Sequence, residues 1–453
     1  MPDHGLTTED PRSSFIEAAC VPLDAWHGSG SLERANAILA AHPALASSDI
    51  YTAAILGDDA SVCGFLRLDA SNATAKGGPR AWDALTHLCF SRYLRLDRAR
   101  SDGFVRAATA LLDAGASACT GWYEMSHQPN SEWESALYGA AGVAHHPELT
   151  RLLLERGADP NDGEVAYHAP ETYGNNDALK ILVESGKLTS STFATMLHRK
   201  LDWTDYDAVA WLLAHGADPN HMSHWGRRAL HHALGRDNAL VAFEMLLNHS
   251  ADPTLPDQLG MSAFAIAAYM GRADVLDLFE QRGFTAELDP DAAFLAACAR
   301  GDEAPARARA AADPALVPRL QSEHGDLLAN FAGAGNTTGV RLLLDLGFDI
   351  NSRTTAGASS ADTALHVAVW HERLATVKLL IERGAPLEAT NGHDETPLAM
   401  AVRSLVEISE WTPHSSVEIV AALLGAGALV DSVKRFPSGS VEADKLLGQH
   451  GKV

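Results

Sequence analysis

An aliphatic pair, a few polar or small residues and then a glycine recur along this chain. The phrase reads Leu111-Leu112-Asp113-Ala114-Gly115, then Leu153-Leu154-Glu155-Arg156-Gly157, then Leu212-Leu213-Ala214-His215-Gly216. It returns at Leu343-Leu344-Asp345-Leu346-Gly347 and Leu379-Leu380-Ile381-Glu382-Arg383-Gly384. A worn copy, Leu246-Leu247-Asn248-His249-Ser250, carries serine in place of the glycine. Apolar residues ahead of the turn fall at i, i+3 and i+4, as with Val340, Leu343 and Leu344, which predicts a helix with one buried face. The glycine sits where the helix must end in a left-handed backbone, a conformation that costs other residues about 1 kcal/mol. A shorter helix with a small-residue core precedes it, as in Thr363-Ala364-Leu365-His366-Val367-Ala368 and Thr396-Pro397-Leu398-Ala399-Met400-Ala401. Pro397 falls in the first turn, where a helix tolerates it, with Thr396 as the cap.

Self-similarity at a period of about thirty residues predicts an array of stacked units, each packing on its neighbours. The spacing is regular: 18 residues separate His168 from Gly186, His198 from Gly216 and His366 from Gly384. The Thr-Pro-Leu-His-x-Ala and Leu-Leu-x-x-Gly-Ala-Asp patterns resemble the ankyrin repeat, and the chain as a whole is similar to uncharacterised bacterial ankyrin-repeat proteins. That resemblance implies an all-α solenoid of about twelve helix-turn-helix units with short β-turn fingers, forming a curved rod with a concave groove. It also implies that His168, His198, His231 and His366 are structural, bonding within and between neighbouring loops.

Against this register, residues 1–79 read as degenerate N-terminal repeats or a cap, and 80–162 as repeats with insertions at 92–102 and 119–131. Residues 163–435 read as regular repeats with an insertion at 403–413, and 436–453 as a C-terminal cap. A variant turn, Ala312-Asp313-Pro314-Ala315-Leu316, replaces the glycine turn in one unit.

Composition narrows the function. Apolar content of 46% and charged content of 21% are those of a folded, soluble protein. A net charge of −23 disfavours nucleic acid and anionic membrane surfaces as partners. Five scattered cysteines without a Cys-x-x-Cys pair predict reduced thiols and a cytoplasmic location. The N-terminus shows no basic-then-apolar leader, and no apolar run is long enough to span a bilayer.

Function in repeat arrays concentrates where the period is broken or the exposed positions carry unusual chemistry. Residues 122–225 contain ten of the seventeen tryptophans and tyrosines, and the 119–131 insertion opens that stretch. The insertion supplies Trp122 and Tyr123, and placing the repeat register on the concave face adds Glu134, Tyr173, Asp202, Trp203, His224, Trp225, Arg227 and Arg236 to the expected binding site. Trp, Tyr and Arg are the residues enriched in binding hot spots. The leading expectation is a non-enzymatic scaffold holding a protein or peptide, or a small molecule, in the groove of repeats three to seven. The alternative is an enzyme whose acid–base groups, drawn from Glu124, Glu134, His168, Glu171, Asp205, His224 and His232, lie in an aromatic-lined pocket under the 119–131 loop. No phosphate-cradling glycine loop, Gly-x-Ser-x-Gly or His-Glu-x-x-His motif occurs. The histidines near 221–232 are weak zinc-ligand candidates in so histidine-rich a chain, so no metal and no cofactor are expected.

Overall fold

The structure, a computed structural model, describes residues 10–23, 25–126, 131–355, 361–407 and 416–451. Among them the chain forms 27 α-helices and one two-stranded sheet. No described helix is long and apolar enough to cross a membrane. Two compact units divide the chain, Met1–Ala229 and Leu230–Val453.

In the first unit short and long helices alternate, running from Pro11–Ala19 to the pair Ser190–Asp202 and Tyr206–Ala214. Aspartates begin many of them. The Asp83 carboxylate accepts the Thr86 N–H at 2.8 Å, and that of Asp205 accepts the Ala208 N–H at 3.2 Å, so a backbone donor left over at each helix start is satisfied. The core is one stripe per helix: Phe15, Leu85, Phe104, Leu111, Leu153, Leu182, Leu197 and Leu212 are all fully buried or nearly so. Each such side chain contributes about 1.5–3 kcal/mol of apolar burial.

The first insertion is ordered. It forms the helix Arg92–Leu96, whose Tyr93 hydroxyl donates to Asn36 Oδ1 at 2.6 Å. Arg92 reaches the Ala18 carbonyl at 2.8 Å and Arg95 those of Ser29 and Gly30 at 3.1 Å. With the Val21 N–H bonded to the Phe90 carbonyl at 3.0 Å, these contacts fix the ends of the connection that carries Trp26 and His27. The second insertion departs from all-helical expectation: its strand Gly121–Glu124 pairs antiparallel with Glu132–Ser135, which directly follows it. Trp122 lies opposite Glu134, Tyr123 opposite Trp133 and Glu124 opposite Glu132. Trp122, Tyr123 and Trp133 suit paired strands, and the base of the hairpin is closed by the Ala136 N–H on the Thr120 carbonyl at 2.8 Å.

The second unit continues the alternation from Leu240–Asn248 to Val441–Gln449. Glycines 216, 347 and 384 take φ of 98°, 98° and 80° at the expected turn, and Ser250 takes 66° at the same place without the freedom of glycine. After the variant turn at 312–316 comes a helix the periodicity does not predict, Leu316–Glu323, seated by Leu316 and Leu320. His366 Nε2–H donates to the Glu395 carbonyl at 3.0 Å, which leaves Nδ1 to accept from the Thr363 hydroxyl at 2.9 Å. Burial keeps this ring neutral by pulling its pKa down. His231 makes the equivalent reach, Nε2 to the Met261 carbonyl at 3.0 Å. The final helix packs on Ser416–Gly425 and buries Leu447. Of the third insertion, residues 408–415 lie outside the described residues.

Candidate functional site

Three pieces of the first unit meet at one pocket: the connection bearing Trp26 and His27, the hairpin, and the helix Gly163–His168. The pocket has a volume of about 250 Å³ and is lined by Trp26, His27, Glu124, Ser126, Glu134, Tyr138, Glu164 and His168. The pleat explains why Glu124 and Glu134 share it, since residues opposite or two apart in an antiparallel pair point to the same face. Glu134 is 1% exposed and its Oε2 has no hydrogen-bond partner among the described residues. The His27 Nδ1 stands 4.0 Å from that oxygen and His27 Nε2 3.8 Å from Glu124 Oε2. Ser126 donates its hydroxyl to the other Glu124 oxygen.

Charge in this pocket is unevenly served. Burial, reinforced by the neighbouring Glu164, Glu124 and Asp162, pushes the Glu134 carboxyl up to about 9, so it holds a proton at neutral pH. His168 goes the same way for another reason. Burial alone would lower it, but Glu164 at 3.1 Å and Glu171 at 2.8 Å outweigh that and raise the imidazole to about 9. Glu171 is held below the usual carboxylate range in spite of its burial, through His168 and the Arg199 guanidinium. Arg199 also binds Asp202 at 2.5 Å and lies 3.9 Å over the Tyr167 ring. Unlike His366, His168 thus turns to carboxylates and not to the next loop; Glu164 and Glu171, four residues before it and three after, are within reach on its own segment.

Beside this pocket a wider cavity of about 630 Å³ is lined by Glu132, Asn161, Tyr167, Thr195 and His224, and by the same Glu164 and His168. The two cavities thus adjoin at Glu164 and His168. Trp225 stacks on His198 at 6.0 Å and sits 4.0 Å from the His224 ring and 6.0 Å from Tyr167. A third cavity, also about 630 Å³, is walled by Trp82, Trp122, Tyr123 and Trp133, with Lys76 and Arg80 at its margin.

Residues 197–289 and 327–433 match the family model for ankyrin repeats in three copies. Over those two segments, less than half of the chain, the sequence is similar to ankyrin repeats. BCL-6 corepressor-like protein 1 of Homo sapiens is 30% identical over 128 residues, 27% of this chain and 7% of that protein. The ankyrin repeat and LEM domain-containing protein 1 homolog of Caenorhabditis elegans is 41% identical over 64 residues, 14% of this chain and 9% of that protein. The chain spans less than a tenth of either relative, and both are eukaryotic, where the residue pattern pointed to bacterial ones. The solved structure of the human ASB11 ankyrin repeat domain covers 57% of this chain and 98% of its own, at 19% identity and a TM-score of 0.26. Ankyrin repeats generally serve as surfaces for binding other proteins.

The residues selected from sequence are dispersed over the structure. Glu134 and Glu124 line the carboxylate pocket, with Glu171 behind His168. His224 lines the wider cavity, and Trp225 lies half-buried beside His224 and Tyr167. Trp122 is buried against Trp82 at 5.0 Å, whereas Tyr123 and Tyr173 are 59% and 65% exposed. Trp203 ends the helix Ser190–Asp202 partly exposed, and Arg227 is exposed. Asp205 binds the wholly buried Lys200 at 3.0 Å. Arg236, exposed, and His232, buried, belong to the second unit. Sequence reasoning missed Trp26 and His27. Nothing in local spacing marks them, because the groups that meet His27, from Phe90 to Tyr138, lie more than sixty residues away.

Proposed function

We propose that the chain is a non-enzymatic scaffold that holds a polypeptide segment in the trough of its first unit, between the hairpin and the helices Gly163–His168 and Ser190–Asp202. The observation that carries this reading is the pair of adjoining cavities sharing Glu164 and His168, with Tyr167 on the wall and Trp225 edge-on beside it. Their volumes suit two or three side chains of a bound segment, with rings as anchors and carboxylates for orientation. Trp203, Tyr173, Asp202, Arg227 and Tyr123 would supply the surrounding contacts.

An acid–base enzyme is the second reading. One observation favours it: Glu134 and His168 are both tuned toward neutral-to-alkaline pH within one pocket. The ion pairs that tie His168 to Glu164 and Glu171, and Glu171 to Arg199, favour a fixed binding surface instead, since each of these groups is already committed to a partner.

A displayed library of random dodecapeptides, selected on the intact protein, tests the scaffold reading. Enriched peptides should lose binding at least tenfold to Trp225→Ala while the variant keeps its helical signal. No enrichment over background, or retained binding by folded Trp225→Ala and Trp203→Ala proteins, would reject it.

A further inference from the structure

We propose that the pocket between Trp26, Tyr138 and the three carboxylates Glu124, Glu134 and Glu164 is a receptor for one basic side chain of the bound polypeptide, a lysine ammonium or an arginine guanidinium. The inference rests on the scaffold reading and specifies its ligand chemistry. Three observations converge on it. The Glu134 carboxyl group is almost fully buried, lines the pocket, and has an oxygen without a hydrogen-bond partner, which is costly unless a ligand supplies one. The walls join the Trp26 and Tyr138 rings to the carboxyl groups of Glu124, Glu134 and Glu164, the last already paired with His168 at 3.1 Å, and rings beside carboxylates are the pairing that recognises organic cations. A volume of about 250 Å³ accommodates a charged head with part of its aliphatic stem.

A divalent metal ion is the competing occupant. Carboxylate oxygens of Glu132, Glu134 and Glu164 all lie within 4.8 Å of one another. The ring walls and the volume favour the organic cation, because a bare ion uses neither. The groups facing Glu134 are His27 from the N-terminal connection, Glu124 from the opposite strand, and Asp162, Glu164 and His168 from the neighbouring repeat. An entering cation would draw the proton off Glu134, so binding should tighten as pH rises from 7 toward 9.

The experiment titrates the intact protein with Nα-acetyl-lysine N-methylamide and Nα-acetyl-arginine N-methylamide, following the His27 and His168 ring signals by NMR. Citrulline and Nε-acetyl-lysine analogues serve as neutral controls, and Mn²⁺ alone as the metal arm. One or both cations should bind, the neutral analogues at least tenfold more weakly. Glu134→Gln should reduce cation binding tenfold or more, and binding at pH 7.5 should release protons, seen calorimetrically in buffers of different ionisation enthalpy. Equal binding of the neutral analogues, undiminished binding to Glu134→Gln, or occupancy by Mn²⁺ without the organic cations would overturn the proposal. Peptides that need Trp225 but ignore Glu134 would reject this pocket and leave the scaffold standing. Cation binding with no peptide selected would do the reverse.

Discussion

His27 Nδ1 and the Tyr138 hydroxyl share a hydrogen bond of 2.9 Å across 111 residues of sequence. It is the link that closes the N-terminal connection over the hairpin. Tyr138→Phe keeps the ring in place against His27 and Phe90 but removes the bond. The variant should lose about 1 kcal/mol of stability, read as a lower urea midpoint. In the wild type, burial and the surrounding glutamates raise the phenol far above its ordinary range, so Tyr138 should stay protonated in an alkaline spectrophotometric titration.

His168 gives a pH-dependent stability of definite sign. Its pKa is about 9 in the folded protein, above the ordinary histidine value. The stabilisation is therefore complete below pH 6.5, declines as pH rises, and is gone above about 9. His168→Gln should destabilise most at pH 6 and progressively less toward pH 9.5. Denaturation midpoints across that range check it, and a His168 ring resonance titrating near neutrality would contradict the assignment.

Glu134 works against the fold as pH rises. Its folded pKa near 9 exceeds the unfolded value of 4.5, so stability present in acid is lost through the range between them. Glu134→Gln, which cannot ionise, should gain on the wild type steadily from pH 5 to 9 and level off beyond. Melting temperatures of the two proteins in parallel scans measure the gap.

Asp237 ties together one corner of the second unit, meeting Arg272 and His371 each at 3.2 Å and Arg373 as well. These partners outweigh its burial and hold its carboxyl below the usual range. Asp237→Asn tolerates the backbone φ of 50° and isolates the charge. It should cost about 2 kcal/mol at neutral pH, with Arg272 left deeply buried. The difference should shrink as pH falls through the lowered Asp237 pKa, where the wild-type carboxylate also becomes neutral.

Ser250 is the serine in a glycine's place. Ser250→Gly should stabilise the protein by about 1 kcal/mol by relieving the left-handed backbone, measured as a higher urea midpoint.

Legibility in the sequence followed the reach of the contacts. The turn at Gly216 or Gly384 and the Thr363–His366 bond are made within a few residues, so spacing alone exposes them. The hairpin was visible as an excess of residues over the period but not as paired strands, for Gly121–Glu124 acquires its pattern only opposite Glu132–Ser135. The helix Leu316–Glu323 buries just Leu316 and Leu320, too few positions to declare a period. Glu124 could be nominated because it sits in the insertion, and Glu134 because the repeat register puts it on the expected concave face just after it. That His27 would join them depends on Arg92 and Arg95 fastening the flanking segments, which no local pattern records.

The hairpin has two characters back to back. Trp122, Glu124 and Glu134 are on its buried side, while Tyr123 and Trp133, their rings 4.8 Å apart, occupy the other. A slip of one residue between the strands would exchange the sides, sending the carboxylates outward and the exposed rings in. The acidic pocket and the aromatic pair are consequently set by a single mechanical choice, like the two edges of one key. Neither can be lost by misregistration without the other, and selection can adjust them separately only by replacing side chains, never by sliding the strands.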